Sequence, residues 1–234
     1  MVPAFVFPSL KWDCVCDLAV CDHVEMDRFL QLFANYQLQA FTCRPFILSL
    51  ATIILSPLLW NIYARLEFHT HILTKLFGSA KRGCYFLAVV IFISSDVRDY
   101  LFKDAVFLSP SLFPALDALF ASWEPYLTPI CIAAFLAGLT LTWSSMWRLG
   151  ITGTYLGDYF GILMKEKVTG FPYNVCNSPM YTGASIQFIA SALFKHSSTG
   201  LVLALATVLC YRIALVFEDS FTAYIYSSHK DNKD

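Results

Sequence analysis

Tyr126-Leu-Thr-Pro-Ile-Cys-Ile-Ala-Ala-Phe-Leu-Ala-Gly-Leu-Thr-Leu-Thr-Trp-Ser-Ser-Met-Trp147 decides the fold of this chain. Between Tyr126 and Trp147 there is no Asp, Glu, Lys or Arg. The run reaches the ~20 apolar residues that a helix needs to cross a hydrocarbon core about 30 Å thick. Composition agrees: the 234 residues are 57% hydrophobic and only 14% charged, where a soluble domain carries about 25%. Mean hydropathy is +0.59. The chain is therefore expected in a membrane, and its net charge of −1 gives no footprint for nucleic acid.

Downstream of this span the pattern changes abruptly. Gly153-Thr-Tyr-Leu-Gly-Asp-Tyr-Phe-Gly161 is followed by Val168-Thr-Gly-Phe-Pro-Tyr-Asn174 and Ser178-Pro-Met-Tyr181. Unpaired backbone groups in lipid cost about several kcal/mol each. A glycine-punctuated loop over 149–180 must therefore lie at the membrane interface or line a protein cavity, which makes it a candidate site. Tyr181 to Phe194 is apolar but too short to span. Lys195 to Gly200 reads as a turn, and Leu201 to Phe217 as the last membrane segment, with Arg212 inside it. Glu218 to Asp234 is more polar.

Upstream, Phe46 to Tyr63 is another span. Pro57 interrupts it, so a kinked or re-entrant helix is expected there. Gly83 to Ser95 reaches span length only by including Asp96, Arg98 and Asp99, charges that should face the bundle or the headgroups. Residues 103–125 form a connection with Pro110, Pro114 and Pro125 and room for a short interfacial helix. Over 22–39, Met26, Phe29, Leu30 and Phe33 follow helical spacing. That segment reads equally as a helix on the membrane surface or as one packed on the bundle. The expected fold is an all-α integral membrane protein: a bundle of about four transmembrane helices plus a re-entrant or half-length helix and an interfacial N-terminal helix. Its organisation is an N-terminal segment 1–43, a membrane domain 44–228 and a polar tail 229–234. The Lys and Arg bias between loops is too weak to set orientation. Met1 to Leu10 lacks the positive region of a cleavable signal peptide.

The eight cysteines suggest no metal centre. Cys14-x-Cys16-x4-Cys21 matches no standard zinc spacing, and cysteines in apolar runs act as small hydrophobes. His69 and His71, two apart, do not share a helix face. No metal is expected.

These motifs resemble the phospholipid N-methyltransferase family, most of all its fungal members. The resemblance runs over roughly 44–228. It is carried by Pro57-Leu-Leu-Trp-Asn61, Lys81-Arg-Gly-Cys-Tyr85, Val97-Arg-Asp99, the long Leu149–Leu163 stretch, Val168-Thr-Gly-Phe-Pro172, Pro179-Met-Tyr181 and Phe221-Thr-Ala-Tyr-Ile-Tyr226. It implies a multi-pass enzyme of the endoplasmic-reticulum membrane. That enzyme would move methyl groups from S-adenosylmethionine to the amine of a phospholipid in the bilayer, taking the mono- and dimethylated ethanolamine lipids to phosphatidylcholine. The family's Gly-x-Gly cofactor motif stands here as Leu136-Ala137-Gly138, and its Glu-Glu pair as Glu218-Asp219.

The reaction sets the remaining candidates. The attacking amine must lose a proton, and both the donor and the final product are cations. Asp158 is placed to take the proton or to cap a helix starting near Tyr159. His196 sits at a turn with a side chain suited to proton transfer, or is simply solvated. Aromatic faces bind cations. Tyr159 and Tyr181 are the better of the loop aromatics for that role, the alternative being an interfacial belt. Glu218 and Asp219 are acids at what reads as a helix C-terminus, an unfavourable place that asks for a compensating partner. Gly138 admits a ligand or a neighbouring helix. Arg98 and Arg212 are candidates for the lipid phosphate, and Arg212 inside a span demands a partner. A prenylcysteine carboxyl or sterol-type methyltransferase, or a non-catalytic membrane scaffold or transporter, remain as other readings.

Overall fold

The structure, a computed structural model, describes residues 30–33 and 36–231. Among these residues there are helices and no strands. The helix expected over 22–39 lies mostly outside the described residues. Residues 30–33 are helical, whereas Tyr36 and Gln37 are not; the Gln37 amide donates to Leu112 O at 2.9 Å instead. A turn, Gln39–Thr42, leads into the bundle.

Helix α1, Arg44–Thr70, starts on Pro45 and continues through Pro57. The re-entrant course expected at Pro57 is therefore not adopted. Its 27 residues amount to about 40 Å at ~1.5 Å per residue. A left-handed His71 ends it, and a short helix α2, Ile72–Phe77, follows. The buried Glu67 carboxylate accepts from the Leu73 and Thr74 amides at 2.7 and 3.1 Å, which caps α2. Helix α3, Ala80–Leu108, includes the charged turn at Asp96–Asp99. The short α4, Pro114–Ser122, fills the expected interfacial connection.

Helix α5, Glu124–Thr154, is broken at Gly150, whose φ of 64° and ψ of −178° are not helical. A 3₁₀ turn, Gly157–Phe160, follows, so the front of the expected loop is structured. Helix α6, Pro179–Phe194, has 16 residues, about 24 Å, and is the half-length helix. Helix α7, Ser198–Asp231, differs from expectation. It does not stop at Phe217 but continues, because Phe221 and Ile225, four apart, bury against Ala64, Cys84 and Tyr159. Apolar side chains there keep the helix packed beyond the membrane-like run.

Among the described residues three helices are long and apolar enough to cross a membrane: Arg44–Thr70, Glu124–Phe160 and Ser198–Ser228. The fourth long helix, α3, has the length but carries its charges midway. Only 11% of the apolar window of Glu124–Phe160 is buried inside the protein. In water so large an apolar face would be anomalous; in lipid it is the expected surface.

Two clusters hold the bundle. Phe46, Ile53, Phe102, Phe188 and Leu203 join α1, α3, α6 and α7 at one end. Ala64, Cys84, Leu87, Phe160 and Ile225 join α1, α3, the 3₁₀ turn and α7 at the other. The turn before α7 is tied down: Ser198 N donates to Asp117 Oδ1 (2.7 Å) and Thr199 Oγ1 to Pro110 O (2.7 Å). Helices α5 and α6 meet most closely at Gly138 and Gly183, where a Cβ on either glycine would stand 2.5 Å from the carbonyl oxygen of the other. Small residues at such crossings let backbones touch.

Gly183→Leu should therefore force α5 and α6 apart at a cost of about 1–3 kcal/mol. Thermal unfolding in detergent is the check. A melting temperature within error of the native protein would show that the glycines do not form the seam.

Candidate active site

The α7 continuation puts Glu218 mid-helix, not at a C-terminus, and the partner it requires is supplied by the protein. Trp60 Nε1 and Asn61 Nδ2, both from α1, donate to Glu218 Oε1 at 2.8 Å each. Tyr181 OH, from the start of α6, donates to Oε2 at 2.7 Å. Three neutral donors from two helices thus hold one carboxylate. Among the described residues the only ion pair is Arg98–Asp99, so Glu218 has no cationic partner in the protein.

A second polar group adjoins it. Tyr181 meets Tyr211 edge-on, with ring centroids 4.9 Å apart. Tyr211 OH accepts from Arg98 at 2.5 Å. The other Arg98 nitrogens donate to Asp99 Oδ1 at 2.9 and 2.8 Å, and the guanidinium lies over Phe188. Arg98 is only 6% exposed. A chain of contacts, polar except for the Tyr211–Tyr181 ring pair, thus runs from Asp99 through Arg98, Tyr211 and Tyr181 to Glu218 and α1.

Both groups line one cavity of about 1270 Å³ between α3 and the α5–α6–α7 wall. Ligand pockets commonly hold roughly 300–1,000 Å³, so this one is larger than most single-ligand sites. Asp158 lines it too, its Oδ2 accepting from Thr222 Oγ1 at 2.7 Å. Asp96, Asp99 and Asp219 add further acids, against Arg98, Lys103 and Lys195. The half toward α6's C-terminus is apolar, lined by Phe102, Phe107, Ile132, Phe135 and Phe194. There Lys195 Nζ lies 4.7 Å from the Phe107 ring centre.

The structure brings together Asp158, Glu218, Asp219, Tyr181, Arg98 and Leu136 around this cavity. It separates the others. Gly138 is buried in the α5–α6 seam and Ala137 is exposed outside the lining. Gly138 thus serves the helix approach. Tyr159 is 0% exposed and stacks on Phe221 at 5.1 Å, outside the lining. Arg212 is exposed and turned away from the cavity; no buried charge needs pairing there. His196, with φ 51°, sits in the turn before α7, about 30 Å along that helix from Glu218 at ~1.5 Å per residue. Asp158 caps no long helix, lying instead within the 3₁₀ turn. Trp60, Asn61 and Tyr211 received no role from the sequence. The pair Trp60-Asn61 carried a signal, two polar-tipped side chains in consecutive positions of an apolar span. No group of His, Cys, Asp and Glu among the described residues is placed to hold a metal ion.

The profile of the phospholipid methyltransferase family matches residues 127–229. Phosphatidyl-N-methylethanolamine N-methyltransferase of Saccharomyces cerevisiae is 43% identical over 203 residues, which cover 87% of this chain and 94% of that protein. Phosphatidylethanolamine N-methyltransferase A of Dictyostelium discoideum is 46% identical over 192 residues, 82% of this chain and 87% of that protein. Phosphatidylethanolamine N-methyltransferase of Homo sapiens is 38% identical over 190 residues, 79% and 92% respectively. No solved structure matches.

Removing the carboxylate leaves the Trp60 and Tyr181 donors unpaired, at about 1–3 kcal/mol per buried group, while Asn61 Nδ2 keeps its bond to Pro57 O at 3.0 Å. Glu218→Ala should lower the melting temperature more than Tyr181→Phe, which deletes one bond. Thermal unfolding of both variants in detergent tests the ranking. A Glu218→Ala protein as stable as the native one would show that these contacts hold nothing together.

Proposed function

The chain belongs to the phospholipid methyltransferase family, and on that premise we propose that it methylates phosphatidyl-N-methylethanolamine and phosphatidyl-N,N-dimethylethanolamine, ending at phosphatidylcholine, with S-adenosylmethionine as donor. It is a membrane-embedded phospholipid N-methyltransferase, and the membrane we assign it to is the endoplasmic reticulum. The observation that carries the site assignment is that Asp158, Glu218 and Asp219 line one cavity with Trp60 and Tyr181, next to an apolar channel.

The residues fit this donor. Its sulfonium is a cation, and the cavity offers carboxylates without cationic partners and aromatic rings. Asp219 and Glu218 would hold it on the α7 side, with Leu136 against its apolar surface. When bound it supplies a methyl group activated by the positive sulfur. Everything else falls to the chain itself. The apolar half of the cavity accepts acyl chains and leaves the headgroup at the acidic half. Position and alignment of the two reactants are the main contribution to rate. The lipid amine reaches the site as an ammonium and must lose its proton before it attacks. Asp158, fixed by Thr222, is the acceptor we assign, because it faces the cavity while Glu218 is already occupied by three donors.

Methyl transfer from labelled S-adenosylmethionine by the purified protein should occur with the mono- and dimethyl lipids offered separately, and hardly with phosphatidylethanolamine. No transfer to any of the three, in folded protein, would sink the reading. Asp158→Asn should lower kcat by about 10²-fold or more, the usual scale for a lost acid–base group, with cofactor affinity little changed. Equal loss of both would make Asp158 a structural residue.

A further inference from the structure

Tyr181 and Trp60 share an arrangement found nowhere else among the aromatics that line the cavity. Tyr155, Tyr173 and Tyr226 also line it. Of these, Tyr173 OH is tied to Ser145 Oγ at 2.5 Å and Tyr226 OH accepts from the Met164 amide at 3.0 Å; neither bonds a carboxylate. Trp60 and Tyr181 both donate to the same carboxylate, that of Glu218. Tyr211 stands edge-on to Tyr181 and also lines the cavity, but its ring already faces the Arg98 guanidinium, 5.6 Å from the ring centre.

The electrostatics of this group are incomplete. Glu218 has its hydrogen bonds but no counter-cation. The nearest arginine of the network, Arg98, is engaged by Asp99 and Tyr211. A carboxylate ringed by aromatic side chains and facing a cavity is the chemistry that recognises a methylated onium ion. A sulfonium or a quaternary ammonium has no N–H to donate and a dimethylammonium has only one, so such cations are bound chiefly by charge and by ring faces. A lysine or arginine would instead seek several hydrogen-bond acceptors, and three donors already occupy most of those that Glu218 offers.

We propose that Trp60 and Tyr181, with the Glu218 carboxylate behind them, form a cage for a methylated onium cation in the cavity. This rests on the methyltransferase reading above and adds which rings hold the charge. The shared chemistry has two sources. One is the methylated ammonium of the lipid headgroup, and the other is the sulfonium of the donor. The donors on Trp60 and Tyr181 then have a second purpose: they fix the ring orientations as well as solvating Glu218.

The test uses the full-length enzyme in nanodiscs, with Tyr181→Leu and Trp60→Leu as ring deletions and Tyr181→Phe as the ring-preserving control. Three quantities are read: KM for the dimethyl lipid, Kd for S-adenosylmethionine, and Kd for S-adenosylhomocysteine, which lacks the positive sulfur. If the cage holds the lipid ammonium, the Leu variants raise the lipid KM about ten-fold and leave both cofactor constants unchanged. If it holds the sulfonium, they weaken S-adenosylmethionine about ten-fold and spare S-adenosylhomocysteine. Tyr181→Phe, which keeps the ring but loses the bond that orients it, weakens the same constant less than Tyr181→Leu does in either case. Equal loss of S-adenosylmethionine and S-adenosylhomocysteine means that the rings only support the fold and overturns the cage. So do ring deletions that change none of the three constants while the native enzyme methylates lipid. A native protein that transfers no methyl group overturns the methyltransferase reading itself, and the cage with it.

Discussion

A carboxylate placed between helices in a membrane protein must be paired or fully hydrogen-bonded, and Glu218 meets that demand with three donors from α1 and α6. The rest of the site depends on this. Trp60 and Asn61 are consecutive on α1, so one turn of that helix is locked to α7. Tyr181 sits in the first turn of α6, so the half-length helix is locked to α7 at the same level. The chain of contacts then continues from Tyr181 through Tyr211 to Arg98 and Asp99 on α3. Four helices are thus set in register by polar contacts, while the apolar clusters above and below supply most of the burial.

The cavity is asymmetric for a physical reason. Its acidic half is built where the helices exchange hydrogen bonds, and its apolar half where α3 faces α5 and α6 with Phe102, Phe107, Phe135 and Phe194. A phospholipid has the same asymmetry. Methyl transfer needs one reactant from water and one from the bilayer, and a single cavity with two kinds of wall can accept both. The seam at Gly138 and Gly183 holds the α5–α6 wall together.

Much of this was legible in the sequence. The apolar runs marked the membrane helices, because a span of ~20 residues without charge has few other uses. The shortness of 181–194 foretold a half-length helix, and the family motifs pointed to the chemistry. Other features were not legible, each for a definable reason. Helix α7 outlives its apolar run because Phe221 and Ile225 bury at helical spacing, a contact that hydropathy alone does not register. Arg212 follows Tyr211 by one residue, about 100° around the helix, and that rotation carries it from the cavity side to the outside. Tyr159 and His196 stand out in the sequence only by residue type at a loop or turn. Depth of burial and distance along α7 place both outside the cavity lining. Trp60 and Tyr211 sit in apolar runs where an aromatic looks like packing, and only the meeting of the helices gives Trp60 the Glu218 carboxylate and Tyr211 the Arg98 guanidinium.

The most direct measurement is the structure of the nanodisc-embedded enzyme with S-adenosylhomocysteine bound. Ligand density is expected in the cavity against Asp219 and Glu218, with its sulfur turned toward Trp60 and Tyr181 and Asp158 within reach of a headgroup amine. Density elsewhere, at the His196 turn or outside the α3–α5–α6–α7 cavity, would contradict the assignment of the site.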